Sequence, residues 1–228
     1  MCVVWAWNVV MIILDFGSGN TCKNDLSYVK RMIDELKAVD TGKHEIVIKW
    51  QLFTKAGDNT PLRPMAFEYA YRYAAKLGYQ TTASVFDVES MAYLLQYDIP
   101  FVKIANRPDL YWLAGEVPRK IPVYVSTGHM KKIKGNIFDK ILELHATELL
   151  VCVSKYPATL KDYEDAFTWE TYSEEGHALV NISDHTTDFT LYHKYKPEIY
   201  ECHYKLEDST GLDAGDFART PEQLAEVL

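Results

Sequence analysis

The sequence predicts an α/β fold, a compact (β/α)8 TIM barrel, from three observations. Short β-branched runs alternate with amphipathic helical segments along the chain. Such alternation implies parallel strands joined by right-handed crossovers. About eight β-then-α units fit into the chain, near the lower end of the size range of a closed barrel. A doubly wound open sheet is the competing architecture. The sequence has no glycine-rich dinucleotide fingerprint, phosphate-binding P-loop, internal repeat or low-complexity segment.

Taken in order, the strand expectations are 11–17, 45–53, 79–86, 101–106, 121–127, 148–154, 177–183 and 198–204. Each is a short apolar or β-branched run. The first helix, over 25–39, rests on Leu26, Val29, Met32, Ile33 and Leu36 at helical spacing. The second covers 66–78 and ends on Gly78 as a C-cap. The third, 87–97, opens on Asp87 as N-cap with Ser90 close behind. Further helices are expected over 137–146, 160–172 and 220–228, the last with Thr220 as N-cap and Pro221 at the first helical position. The stretches 54–64 and 207–219 read as loops. Residues 1–10 are either an extension before a natural start at Met11 or an extra strand. Residues 11–228 are expected to form a single barrel domain.

Composition narrows the function. Hydrophobic residues make up 48% of the 228, enough for a sizeable core. The net charge is -8, the pI is about 5.4, and no Lys/Arg block stands out. That argues against nucleic acid and anionic membranes as main partners. The opening apolar stretch is too short for a transmembrane helix and lacks the basic start of a signal peptide. Cys2, Cys22, Cys152 and Cys202 are scattered without a CxxC, which points to a reducing cytoplasm rather than a disulfide framework.

In a β/α barrel, function gathers at the C-terminal ends of the strands. The residues there are Asp15; Lys49 and Gln51; Ser84; Lys103 and Asn106; Ser126 and Thr127; Ser154 and Tyr156; Ser183, Asp184 and His185; and Glu201 and His203. Two lysines inside an apolar barrel need anionic company. A ligand phosphate and carboxylate would supply it, and so would core carboxylates such as Asp15 or Glu201. The hydroxyls and the Gly128 turn would add hydrogen-bond donors for such a ligand. His185 and His203 on neighbouring strands suit a divalent ion that polarises a carbonyl, or are structural imidazoles. Ser126-Thr127-Gly128 also reads as a plain strand-ending turn. His44, His145 and His193 read as solvated, His129 and His177 as ambiguous, and the aromatic segment 67–73 as a helix packing on the barrel.

Seven strings then stand out in order: "IKWQ" (48–51), "VFDVESM" (85–91), "FVKIAN" (101–106), "VYVSTG" (123–128), "LLVCVSKYPA" (149–158), "NISDHT" (181–186) and "YECHYKLEDSTGLD" (200–213). Together, over about residues 11–225, they resemble the catalytic barrel of the sialic acid (N-acetylneuraminate) synthase family. The resemblance implies condensation of phosphoenolpyruvate with an open-chain N-acylated hexosamine such as N-acetylmannosamine. A nonulosonic acid forms and phosphate is released, with manganese or magnesium as cofactor.

Lys49, Ser84, Lys103, Asn106, Ser126, Ser154, Tyr156 and Ser183 fall where the family handles phosphoenolpyruvate, and Gln51 joins this substrate-binding set. His185 and His203 fall on the metal ligands. Asp213 falls on an acidic position near metal and sugar, and Asp15 would orient water or substrate. The resemblance also leaves room for a homodimer. The chain departs from the family pattern at Asp15, which replaces a Glu, at Gly19-Asn20, at Asn106-Arg107-Pro108, at Ser154 and at His129-Met130. The family's C-terminal antifreeze-like domain is expected to be absent. Two other expectations stand beside the main one: a synthase joining phosphoenolpyruvate to a sugar phosphate, and a non-catalytic barrel that binds ligand or partner.

Overall fold

The computed structural model describes residues 9–128, 146–167 and 181–228. Eight parallel strands pair in chain order and close into a barrel, β1 meeting β8. They are β1 (Met11–Asp15), β2 (Glu45–Leu52), β3 (Gln80–Val85), β4 (Val102–Ile104), β5 (Val123–Thr127), β6 (Glu148–Cys152), β7 (Asn181–Asp184) and β8 (Ile199–His203). The helices are α1 (Leu26–Val39), α2 (Pro64–Lys76), α3 (Val88–Leu94), α4 (Leu160–Ala166), α5 (Thr190–Tyr195) and α6 (Pro221–Leu224). The closed barrel is the expected fold, and the open sheet is excluded.

Local chemistry explains the boundaries. Asp25 caps α1 by accepting from the Ser27 and Tyr28 amides. Asp87 caps α3 through the Ser90 amide, 2.7 Å away. Thr220 and Gln223 form a reciprocal capping box with Pro221 in the first turn of α6. Gly78 follows α2 at φ 91°, where a side chain would be strained.

Two elements depart from expectation. A 3-10 helix over Pro108–Glu116, rather than an α-helix, follows β4. The six-residue α5 is too short for its periodicity to stand out in the sequence. Of the expected elements, helix 137–146 lies almost wholly outside the described residues, as do residues 168–172 of the 160–172 helix and 177–180 of strand seven. His129, His145, His177 and residues 1–8 also lie outside them. Among the described residues, no helix is long and apolar enough to cross a membrane.

The period of two along each strand builds the barrel in layers. Ile13, Val47, Phe101, Leu150 and Ile199 form one apolar interior cluster. Two residues further along the same segments come Asp15, Lys49, Lys103, Cys152 and Glu201, all buried. The interior thus changes from hydrocarbon to charge in one pleat. Alternate residues such as Ile12, Leu14, Ile48, Trp50, Ile104 and Ile182 belong to the larger core cluster.

His44 corrects one expectation. It is 9% exposed rather than solvated, with Nδ1 3.3 Å from the Val10 amide and Nε2 3.2 Å from the Tyr192 hydroxyl. His193 is exposed and pairs with Glu226. The aromatic segment packs as expected, with Phe67 buried against Tyr93 and Tyr97.

Candidate active site at the barrel mouth

A cavity of about 450 Å³ opens at the C-terminal ends of the strands. Its lining includes the thirteen side chains to which the family resemblance gives a role, Asp15, Lys49, Gln51, Ser84, Lys103, Asn106, Ser126, Ser154, Tyr156, Ser183, His185, His203 and Asp213, and Glu201 as well, while Thr127 is buried outside it. Asp184 lies outside this lining and accepts from the Tyr200 hydroxyl at 2.6 Å, with Arg219 3.6 Å away. Sequence reasoning missed Asn59 and Phe217, which reach the cavity from loops. Loop residues carry no periodicity that would mark them.

The floor is a four-charge group. Lys49 Nζ lies 2.6 Å from Asp15 Oδ2 and 3.7 Å from Glu201 Oε1. Lys103 Nζ lies 3.6 Å from the same Glu201 oxygen. Of the two alternatives raised for the lysines, the structure shows the core carboxylates as partners, and those carboxylates stand in the cavity wall. Burial alone would raise the Asp15 carboxyl, but the Lys49 ammonium and the His203 ring hold it well below its ordinary value. Burial opposes Glu201 ionisation too, and Lys103 and Lys49 outweigh it, so its pKa falls. For Lys49, burial is outweighed by Asp15 and Glu201, and its pKa rises. For Lys103, burial wins over Glu201, and its pKa falls.

Three serines complete this wall. Ser84 Oγ accepts from Lys49 at 3.0 Å, Ser126 Oγ from Lys103 at 2.6 Å, and Ser154 Oγ from Asn106 Nδ2 at 2.9 Å. Each hydroxyl is already an acceptor, and among the described residues none of the three donates to a protein acceptor. A hydroxyl carries one hydrogen, so with respect to the described residues each keeps its own free to donate. Ser183 differs, since its hydroxyl donates to Glu201 Oε1 at 2.8 Å. Two ammonium groups and three such hydroxyls can receive an anion with several oxygens.

The other side holds the histidines and Asp213. His185 Nδ1 donates to the Val153 carbonyl at 2.7 Å, leaving Nε2 as the lone-pair nitrogen. Burial, with the neighbouring His203 ring, pushes the His185 pKa down to about 3, so the ring is neutral at ordinary pH. The two rings lie 5.3 Å apart between centroids. Among the described residues, buried His203 Nδ1 has no hydrogen-bond partner and lies 3.8 Å from Asp213 Oδ1, while Nε2 is 3.7 Å from Asp15 Oδ2.

Gln51 Nε2 donates to Asp15 at 3.0 Å and to Asp213 at 2.8 Å. Asn59 Nδ2 adds a bond to Asp213 at 3.1 Å. Burial raises the Asp213 pKa. Tyr156 packs on His185 at 4.3 Å and on Phe217 at 4.9 Å. Imidazole nitrogens beside carboxylates offer the nitrogen and oxygen donors that a first-row divalent ion accepts, so the residues fit such an ion in kind. Among the described residues, no three His, Cys, Asp or Glu side chains converge into a ready-made cluster.

Solved structures with the same architecture include the N-acetylneuraminic acid (sialic acid) synthetase of Leptospira borgpetersenii serovar Hardjo-bovis. It is 22% identical with a TM-score of 0.72, covering 96% of this chain and 81% of that one. The spore coat polysaccharide biosynthesis protein spsE of Bacillus subtilis is 18% identical with a TM-score of 0.71, covering 96% of this chain and 66% of its own. A DAHP synthase of Thermotoga maritima is 14% identical with a TM-score of 0.69, covering 96% and 67%. At these identities the likeness establishes the fold. No curated protein matches the chain. The model of the NeuB family matches residues 38–227, which is most of the sequence, and this chain belongs to that family.

Proposed function

We propose that this chain is a phosphoenolpyruvate-dependent, carbon–carbon bond-forming synthase that condenses phosphoenolpyruvate with an N-acylated hexosamine to a nonulosonic acid. One observation carries the donor assignment: two buried ammonium groups and three serine hydroxyls with uncommitted hydrogens line a single cavity. Phosphoenolpyruvate carries a phosphate and a carboxylate on three carbons, which suits two cations that lie 3.7 and 3.6 Å from one Glu201 oxygen. Family membership and the sialic acid synthetase of like fold support the same chemistry.

In this reading Lys49 and Lys103 neutralise the donor's two anionic groups. Ser84, Ser126 and Ser154 donate to its oxygens, which fixes the enol face toward the acceptor. The methylene carbon forms a bond to the aldehyde carbon, and the aldehyde oxygen takes up a proton. Water adds to the neighbouring former enol carbon and gives up the proton that the aldehyde oxygen takes; the resulting tetrahedral carbon then loses phosphate by cleavage of its C–O bond, its hydroxyl proton leaving with the phosphate as the ketone forms. Asp15, held by Lys49 and Gln51, orients the water. Asp213, held by Gln51 and Asn59, receives sugar hydroxyls. His185 and His203 would hold a divalent ion, which when bound polarises the acceptor carbonyl.

Arg107 is the one guanidinium lining the cavity, and it is engaged bidentately by Asp109. Among the described residues no further guanidinium is offered to a second phosphate, which supports a sugar without phosphate as the acceptor. The test is phosphate release from phosphoenolpyruvate with N-acetylmannosamine or arabinose 5-phosphate, with and without manganese. Release with the amino sugar supports the proposal. Release with arabinose 5-phosphate alone favours the sugar-phosphate synthase, and donor binding without turnover in any mixture favours a binding barrel.

A further inference from the structure

We infer that Asn106 is a positioning residue: its amide staples the ends of β4, β5 and β6 and presents the Ser154 hydroxyl to the donor. The inference rests on the reading of the cavity as a phosphoenolpyruvate site. Its basis is that the protein itself fills the hydrogen-bonding capacity of this side chain. Oδ1 accepts from the Gly128 amide at 2.7 Å and faces the Tyr111 hydroxyl at 3.1 Å. Nδ2 donates to Ser154 Oγ at 2.9 Å and toward the Cys152 carbonyl at 3.3 Å. A side-chain amide has two donor hydrogens and two acceptor lone pairs: both hydrogens and one lone pair are taken outright, and the second lone pair shares the single Tyr111 hydroxyl hydrogen with the Ser126 carbonyl. The orientation is fixed, because the Gly128 amide only donates and the Cys152 carbonyl only accepts.

Three consequences follow for the site. The Gly128 N–H, which the sequence offers to an anion, is taken by Asn106. A Cβ at Gly128 would lie 2.8 Å from Asn106 Nδ2, so a side chain there would displace the Asn106 amide. Ser154 is 2.9 Å from Asn106 as Ser126 is 2.6 Å from Lys103, each hydroxyl accepting from a nitrogen and keeping its own hydrogen. Asn106 thus does with a neutral amide, at the third serine, what the lysines do at the other two. Tyr111 ties this staple to β5 as well, since its hydroxyl is also 3.0 Å from the Ser126 carbonyl.

The test combines two readouts on the full chain. Amide hydrogen exchange at Gly128, without ligand, reports the staple. Calorimetric titration with phosphoenolpyruvate reports the presentation of Ser154, in wild type, Asn106→Ala, Ser154→Ala and the double variant. Exchange at Gly128 should accelerate at least about tenfold in Asn106→Ala and stay slow in Asn106→Asp, which keeps the acceptor oxygen.

Both single alanine variants should weaken donor binding by roughly tenfold, the scale of one hydrogen bond to a charged group. The double variant should be no more than about twofold weaker than Ser154→Ala, because the two residues act as one unit. Multiplying losses would mean that Asn106 touches the donor itself and would overturn the inference. Unchanged Gly128 exchange in Asn106→Ala would overturn the staple. If wild type binds no phosphoenolpyruvate, the donor reading fails and the presentation of Ser154 fails with it, while Gly128 exchange still decides the staple.

Discussion

Lys49 and Asp15 stand opposite each other on β2 and β1, with Nζ 2.6 Å from Oδ2 and both side chains buried. Asp15 is in turn paired in register with His203 on β8, so one carboxylate faces the lysine side and the histidine side together. Removing one member of a buried pair strands the other's charge. Lys49→Met should therefore cost about 3–5 kcal/mol in urea denaturation, and adding Asp15→Asn should recover part of it. A cost below about 1 kcal/mol for Lys49→Met would show that the pair is solvated instead.

Lys103 predicts a pH dependence. Burial lowers its pKa against the pull of Glu201. The ammonium form binds an anion, so the sign is set: donor affinity falls as pH rises through a pKa below that of ordinary lysine. Lys103→Arg keeps its charge over the whole range, and the alkaline loss should disappear even if the overall affinity drops. The KM for phosphoenolpyruvate measured from pH 6 to about 10 checks this. The same alkaline limb in Lys103→Arg would assign the titration to another group.

Gln51 holds two carboxylates with one amide nitrogen, bonding Asp15 and Asp213. Gln51→Glu removes that donor and places a third carboxylate against them. Turnover should fall by a factor of about 10² or more, with the loss shared between kcat and the acceptor KM. Steady-state kinetics with each substrate varied in turn would show it. A variant within twofold of wild type would remove Gln51 from the account.

Gly211 precedes the short turn that carries Asp213, at φ 93°. A Cβ there would come 2.5 Å from Asn20 Cβ. Gly211→Ala should lower stability by about 1–3 kcal/mol and displace Asp213, raising the acceptor KM more than the donor KM. Thermal unfolding together with both KM values would test the pairing of these effects.

The sequence makes the barrel legible because strands buried on both faces leave continuous apolar runs. The polar layer is legible for the same reason in reverse: Lys49 and Lys103 interrupt runs in which every neighbour is buried. Their partners are less so. Glu201 reads equally as a strand-end acid or a core partner until closure of the barrel sets it 3.7 Å from one lysine and 3.6 Å from the other.

The loop contributions are hidden. Asn59 looks like any turn residue, yet its amide reaches Asp213 across 154 positions of sequence. Arg219 looks like a surface cation, yet it is 1% exposed and donates to the Thr186 and Phe217 carbonyls. Nothing local encodes such contacts, because they exist only once the loops meet over the barrel mouth. Asn106 is the intermediate case, visible as a strand-end polar residue but silent about the four groups it joins.

The measurement that bears most directly on the two-lysine cradle is a calorimetric titration of phosphoenolpyruvate into wild-type protein and into Lys103→Met. The expected result is saturable binding at one site per chain in wild type, weakened by about 100-fold or more in the variant. Equal affinity in the two proteins, or no binding to wild type, would contradict the assignment of this cavity to the donor.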